Sequence, residues 1–89
     1  MLTEHVFERV RGIDMTLAEF RDLLVSDGQI IEETVLAEGQ LKALVLYVDW
    51  LRPLHVVVHV DHLRSEERIV TVYEAERTRW SPDHRRRRP

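Results

Sequence analysis

Apolar residues recur with a helical spacing at the start of this chain and with a strand spacing over most of the rest. Leu2, Val6 and Val10 repeat every four residues, as on the buried face of a helix. The pattern predicts a helix over residues 2–11, and Gly12 is placed to end it. The chain therefore opens with a short amphipathic helix.

A second helix is predicted to begin after Thr16. Thr16 and Glu19 have the spacing of a capping box, in which each side chain binds the other residue's backbone N–H. The helix should run to about Ser26, and Asp27-Gly28 predicts a left-handed cap after it. Its expected buried residues are Leu17, Phe20 and Leu24, with Leu23 as a further candidate.

The remaining apolar residues alternate or form continuous runs, which predicts strands. Glu38-Gly39 is a hairpin turn, and Arg52-Pro53 should end a strand because proline cannot donate to a ladder. The run Leu41–Leu51 is apolar on both faces, as in a central strand. The predicted strands are Gln29–Leu36, Leu41–Leu51, Leu54–Asp61 and Arg68–Glu74.

The order of the elements is helix, helix and four strands joined by short turns. Such an order favours an α+β fold, with the two N-terminal helices packed on one face of a four-stranded antiparallel meander sheet. With 89 residues, the chain has room for one domain, assigned to residues 1–80. Residues 81–89 form a basic tail, and Trp80 is expected to pack back onto the domain before it.

The net charge of −3 conceals a strong asymmetry along the chain. Residues 1–76 carry a net charge of −8, whereas residues 77–89 carry six arginines and one aspartate, a net charge of +5. A basic tail of this kind suits nucleic acid or an acidic partner, or it is simply a solvated terminus. The absence of cysteine, of a signal-peptide core and of a long apolar run favours a cytoplasmic protein without a membrane segment.

The third strand carries the side chains best suited to chemistry. His55 and His59 alternate with valines, so they should share the sheet face that the helices leave open. Thr71 and Tyr73 of the fourth strand are expected to lie on that face too. Histidine titrates near neutrality and suits acid–base catalysis, although half-solvated strand faces also carry histidine without any catalytic role.

Metal and cofactor sites are not indicated. His55 and His59 are roughly 13 Å apart along an extended strand, too far to bind one ion. The sequence contains no cysteine and no glycine-rich phosphate loop. His5 and Arg9, one helical turn apart, could instead hold an anion, or they could be an ordinary surface pair.

Several short motifs occur in a familiar order. They are His5-x3-Arg9, Arg11-Gly12-Ile13, Arg52-Pro53-Leu54-His55-Val56-Val57, Val70-Thr71-Val72-Tyr73 and a late Trp80 with an arginine-rich end. The set resembles an uncharacterised bacterial domain family that is grouped with the barnase, EndoU, colicin and RelE ribonucleases, many of them toxins. The resemblance covers nearly the whole chain and implies a RelE- or barnase-like fold.

The resemblance implies a metal-independent ribonuclease with the matching residues in its site. His55 would act as general base or acid and His5 as its counterpart, while Arg9 holds the phosphate. Tyr73 would position the phosphate or stack on a base, with Thr71 in support. The gap between Arg9 and Arg11-Gly12 is about two residues shorter than the family motif suggests, so Arg11 is an alternative phosphate ligand. The tail residues Arg85, Arg86, Arg87 and Arg88 would add salt-sensitive affinity for RNA.

Three functions remain open on the sequence. The first is an endoribonuclease, with RNA as substrate and an antitoxin protein as a possible partner. The second is a noncatalytic module of the same fold that binds a protein through an exposed sheet edge or the Trp80 region, or forms a homodimer through a strand edge. The third is an RNA-binding module that uses only the arginine-rich tail.

Overall fold

A computed structural model describes residues 2–48, 50, 52–75, 79–82 and 85–87. This part of the chain forms two helices and one four-stranded antiparallel sheet, which confirms the predicted α+β class and element order. None of its helices is long and apolar enough to cross a membrane. The elements are α1 (Glu4–Gly12), α2 (Leu17–Leu24), β1 (Gln29–Ala37), β2 (Gln40–Tyr47), β3 (Leu54–Asp61) and β4 (Glu66–Glu74).

Helix α1 starts two residues later than predicted, because the residues before it are tied to β4. Leu2 forms a parallel bridge with Ile69, and the Thr3 backbone N–H donates to the carbonyl of Ile69. The Thr3 hydroxyl donates to the carbonyl of Val70 at 3.2 Å. These contacts fix the start of α1 beside the edge strand β4.

Helix α2 begins with the predicted capping box. The Glu19 backbone N–H donates to Thr16 Oγ1 at 3.1 Å, and the Thr16 N–H donates to Glu19 Oε1 at 2.9 Å. These bonds satisfy two of the donors that a helix start leaves without partners. Phe20 and Leu23 are buried, whereas Leu17 and Leu24 are half-buried, so the inward stripe is narrower than predicted.

The predicted left-handed cap at Gly28 is wrong. Helix α2 ends at Leu24, its cap residue Val25 has an ordinary right-handed conformation, and Gly28 has no positive φ. Space, rather than conformation, requires glycine at this position. A Cβ added to Gly28 would lie 2.7 Å from ring atoms of Tyr47 and 2.7 Å from a methyl group of Val45.

Replacing Gly28 by alanine is therefore expected to destabilise the fold by about 1–3 kcal/mol, since the side chains of β2 must shift to admit a methyl group. Gly12→Ala is the matched control, because a Cβ there meets nothing within 4 Å. It should be neutral or stabilising by up to about 1 kcal/mol. Urea denaturation measures both changes, and equal losses in the two variants would contradict the steric explanation.

The sheet has the strand order β1-β2-β3-β4, with the apolar strand β2 inside it as predicted. Five successive residues of β2, from Ala43 to Tyr47, are buried. The strand ends at Tyr47, earlier than predicted, and Leu51, its predicted end, lies outside the described residues. The hairpin turn before β2 is confirmed, with Gly39 at a φ of 75°.

Register shifts in the edge strands change which face several side chains occupy. In β4, Thr71 pairs with Val57 and Ile69 pairs with Val58, so Val70 is an extra residue. Ile69 consequently packs on the helix-side core and not, as its spacing suggests, on the face of Thr71 and Tyr73. A similar shift in β1 comes between Ile30 and Glu32, which separates those two residues onto opposite faces.

Both faces of the sheet are covered over the middle strands. Under the helices, Val6, Val10, Phe20, Val56 and Val72 belong to the main core. The opposite face, expected to be open, carries a second apolar layer under the C-terminal segment. Its buried members are Leu44, Leu46, His55 and Trp80.

Candidate functional site

Helix α1 presents two polar side chains beside its buried stripe. Val6 and Val10 point into the core, whereas His5 and Arg9 are exposed one turn apart. The Arg9 Nε–H donates a hydrogen bond to His5 Nε2 at 3.2 Å. In this contact His5 Nε2 is the acceptor, through the lone pair of that ring nitrogen.

The bulge in β4 determines which way Thr71 and Tyr73 project. Beyond the extra residue Val70, Thr71 and Tyr73 project onto the same face as His55. Tyr73 lies directly opposite His55 across the strand pair. The two rings meet edge to face, with centroids 5.4 Å apart and planes at 83°.

His55 is not on an open face, contrary to the prediction. Its side chain is 0% exposed, because the indole of Trp80 covers it with ring centroids 4.2 Å apart. Trp80 is itself only 2% exposed, which confirms that it packs back onto the domain. His59, four residues further along β3, is half-buried in a separate depression beside Asp61 and Arg64.

The C-terminal segment returns over this second face. Trp80 and Arg87 form an antiparallel bridge, and the Arg87 guanidinium lies 4.7 Å from the centroid of the Trp80 ring. Arg87 also binds Glu32 of β1 through two hydrogen bonds, from Nε at 2.8 Å and from Nη2 at 3.1 Å. Hydrogen bonding to Glu32 raises the pKa of Arg87 above its ordinary value, so the guanidinium stays charged.

The arginines of the tail occupy different surroundings. Arg85 Nε donates to Gln29 Oε1 at 2.7 Å, at the start of β1. The backbone of Arg86 pairs with Ser81, and its side chain is exposed. Arg88 lies outside the described residues. Of the tail arginines in the described part of the chain, only Arg87 reaches the cleft described next.

A cleft of about 380 Å³ forms where α1, β4 and the C-terminal segment meet. It is lined by three arginines and one exposed histidine, and none of its described lining residues is a carboxylate, although Glu32 binds Arg87 beside it. The charge of the cleft is therefore opposite in sign to that of the acidic body. Its lining residues are His5, Arg9, Thr71, Tyr73, Arg79, Trp80 and Arg87.

Two neighbouring depressions extend the cleft into a groove. One, of about 620 Å³, shares His5, Arg9 and Tyr73 with the cleft and is also lined by the carboxylates of Glu8 and Glu74. The other, of about 180 Å³, shares Tyr73 and Arg87 and lies over β1 and β2. The groove thus runs across the sheet, with Tyr73 in all three parts.

The tertiary structure brings together four of the five side chains that the motifs singled out. His5, Arg9, Thr71 and Tyr73 line the cleft, whereas His55 lies beneath it, under Tyr73 and Trp80. Arg11, the alternative phosphate ligand, does not line it.

Sequence reasoning missed Arg79, and it treated Trp80 as an anchor or as part of a protein-binding surface, not as a residue of the ribonuclease site. The charge block of residues 77–89 contained the one signal that could have indicated Arg79. Among the described residues, no group of three or more His, Asp or Glu side chains is arranged to hold a metal ion.

Comparison with protein-family models, curated proteins and solved structures gave no match for this chain. A functional assignment therefore depends on the chemistry of the groove and on the motif resemblance.

Proposed function

We propose that the chain is a metal-independent endoribonuclease and that the cleft between α1, β4 and the C-terminal segment is its active site. The observation that carries the proposal is the convergence of His5 with Arg9, Arg79 and Arg87 in a cleft without a described carboxylate. A proton-transfer group beside several cations is what cleavage of a phosphodiester by its own 2′-hydroxyl requires. The same concentration of positive charge allows a body with a net charge of −8 to attract RNA.

His5 is the proposed general base. Its Nε2 removes the proton of the 2′-hydroxyl once Arg9 leaves that nitrogen for the phosphate. The 2′-oxygen then bonds to phosphorus and the bond to the 5′-oxygen breaks. The products are a 2′,3′-cyclic phosphate and a 5′-hydroxyl end. Tyr73, whose hydroxyl can donate a proton, protonates the leaving oxygen in this scheme.

The cleft arginines stabilise the charge that builds on the phosphoryl oxygens. Arg9 comes from α1 and Arg79 from the C-terminal segment, and Thr71 of β4 adds a hydroxyl for hydrogen bonding. His55 enters the proposal in a new role. With no exposed surface, it supports Tyr73 and Trp80 from below instead of exchanging a proton with RNA.

The test is cleavage of mixed-sequence RNA by the purified protein in EDTA. Wild type should give products with 2′,3′-cyclic phosphate ends and leave DNA and 2′-O-methyl RNA intact, because both lack the nucleophile. Arg9→Gln should slow cleavage about 10²–10³-fold, as expected for the loss of one transition-state donor. Arg11→Gln removes the same charge two residues away, outside the cleft, and should keep near-normal activity.

Three results would count against this function. They are the absence of RNA cleavage, a requirement for an added divalent metal, and equal losses in the Arg9 and Arg11 variants. The last result would show that overall charge, and not the cleft, determines the rate.

A second candidate, a protein-binding or homodimerising module, is favoured by the edge strand β1. Among the described residues, strand β1 pairs only with β2 in the sheet, and it exposes three apolar side chains, Ile30, Val35 and Leu36. An apolar open edge is a template for pairing with another strand. Light scattering tests this candidate. A dimer in the wild-type protein that becomes a monomer in Val35→Lys would favour dimerisation through the β1 surface.

A further inference from the structure

The Arg87 side chain is held by contacts on two sides, whereas nonspecific attraction of RNA would require only its charge. Its guanidinium lies on the Trp80 ring, and that ring lies on the buried His55. Glu32 fixes the guanidinium from the side with two hydrogen bonds. A long side chain anchored on two sides has lost most of its rotamer freedom before any ligand arrives, so binding through it costs less entropy.

Glu32 binds one edge of the Arg87 guanidinium, and the second edge can bind another acceptor. It uses the edge formed by Nε and Nη2. The other edge, formed by Nη1 and the second hydrogen of Nη2, faces away from that carboxylate. Two parallel N–H groups on one edge match two oxygens of a phosphate, a fit that lysine cannot provide.

Arg87 and Arg9 both line the cleft, and each also borders a different one of the two neighbouring depressions. Arg9 borders the cleft and the depression along α1, whereas Arg87 borders the cleft and the depression over β1 and β2. Tyr73 lines all three parts and so lies between the two arginines. If Arg9 binds one phosphate beside His5, Arg87 can bind a neighbouring phosphate of the same strand.

We propose that Arg87 is a second phosphate-binding residue and that the groove takes a single-stranded polyribonucleotide with at least two consecutive phosphates. The identity of the ligand as RNA rests on the proposed function. The two-phosphate site rests on the placement of Arg9 and Arg87. Glu32 also affects the test of this site. If Arg87 were removed, the negative charge of Glu32 would face the groove without its partner and would repel a phosphate.

Binding of a fluorescent 2′-O-methyl hexaribonucleotide, which lacks the attacking hydroxyl, tests the site without any catalysis. Its affinity is measured by anisotropy at several salt concentrations. Arg87→Gln should weaken binding at least about 10-fold and lower the slope of log affinity against log salt by about 0.7, the contribution of one phosphate on a single strand. Arg87→Lys keeps the charge but lacks the two-nitrogen edge, so its affinity should lie between those of wild type and Arg87→Gln.

Three further variants separate this site from diffuse attraction. Arg64→Gln removes one positive charge from the β3–β4 turn and should bind like wild type. Arg85→Gln removes a tail arginine outside the cleft and should lose about threefold or less. Arg9→Gln combined with Arg87→Gln should lower the salt slope by about twice the single loss, because two phosphates are released.

Equal losses for Arg85→Gln and Arg87→Gln would overturn the proposal in favour of a nonspecific tail. Full recovery of affinity when Glu32→Gln is added to Arg87→Gln would also overturn it, by showing that Arg87 only neutralises Glu32. The proposal would also be overturned if the slope of log affinity against log salt were no smaller in the double variant than in Arg9→Gln, because Arg87 would then contact no phosphate. If the expected pattern appears but wild type does not cleave RNA in EDTA, the two-phosphate site stands and the catalytic function fails.

Discussion

His5→Ala is expected to slow RNA cleavage in EDTA about 10²–10⁴-fold, the usual contribution of a positioned general base or acid. His5 is the exposed histidine of the cleft, and the buried His55 cannot replace it without movement of Trp80. Substrate affinity should change little, since three arginines remain. The loss should therefore appear in the single-turnover rate at saturating enzyme, not in the concentration needed for half-saturation.

His59→Ala is the matched control for that experiment. His59 belongs to the same sheet but lies in a separate depression with Asp61 and Arg64. Its replacement should leave the rate within about twofold of wild type, since nothing in the proposed chemistry uses it. Circular dichroism on both variants confirms that the fold is intact. An unchanged rate in His5→Ala would remove His5 from the reaction and with it the proposed mechanism.

Trp80→Ala is expected to destabilise the protein by about 3–5 kcal/mol, the range for truncating a large buried aromatic side chain. Trp80 is 2% exposed and forms the cover over His55, and Arg87 packs on its outer side. Its loss would open a buried histidine to water and release the end of the C-terminal segment. For a domain with a free energy of unfolding of about 5–15 kcal/mol, this is a large share of the total.

Trp50→Ala provides the comparison, because Trp50 is half-buried at the margin of the main core. A partly exposed side chain leaves a smaller cavity, so its loss should cost clearly less than that of Trp80. Urea denaturation followed by far-ultraviolet circular dichroism measures both. A loss below about 1 kcal/mol in Trp80→Ala would show that the C-terminal segment adds little to the fold.

Local patterns in the sequence were sufficient for the elements and their order. The four-residue spacing of Val6 and Val10 predicts α1, and the capping box of Thr16 and Glu19 predicts the start of α2. Such signals act between neighbours in the chain, so they can be read without knowledge of the fold. The hairpin at Gly39 is of the same kind, since its positive φ is a local requirement.

The faces of the edge strands could not be read in this way. A period of two assigns Ile69 to the face of Thr71, but the extra residue at Val70 reverses that assignment. The irregularity depends on pairing with β3 and on the bond from Thr3 to Val70, which come from distant parts of the chain. A bulge of this type leaves no clear local signal, because any residue can occupy it.

The sequence by itself determined the α+β fold, the central strand β2 and the motif residues His5, Arg9, Thr71 and Tyr73 as candidates. Only the tertiary structure decided how they meet, that His55 is buried below them, and that the tail supplies Arg87 to the same cleft. The physical reason is distance along the chain. Spacing and polarity describe contacts within an element, whereas the cover over β3 depends on a tryptophan 25 positions away from the histidine it buries.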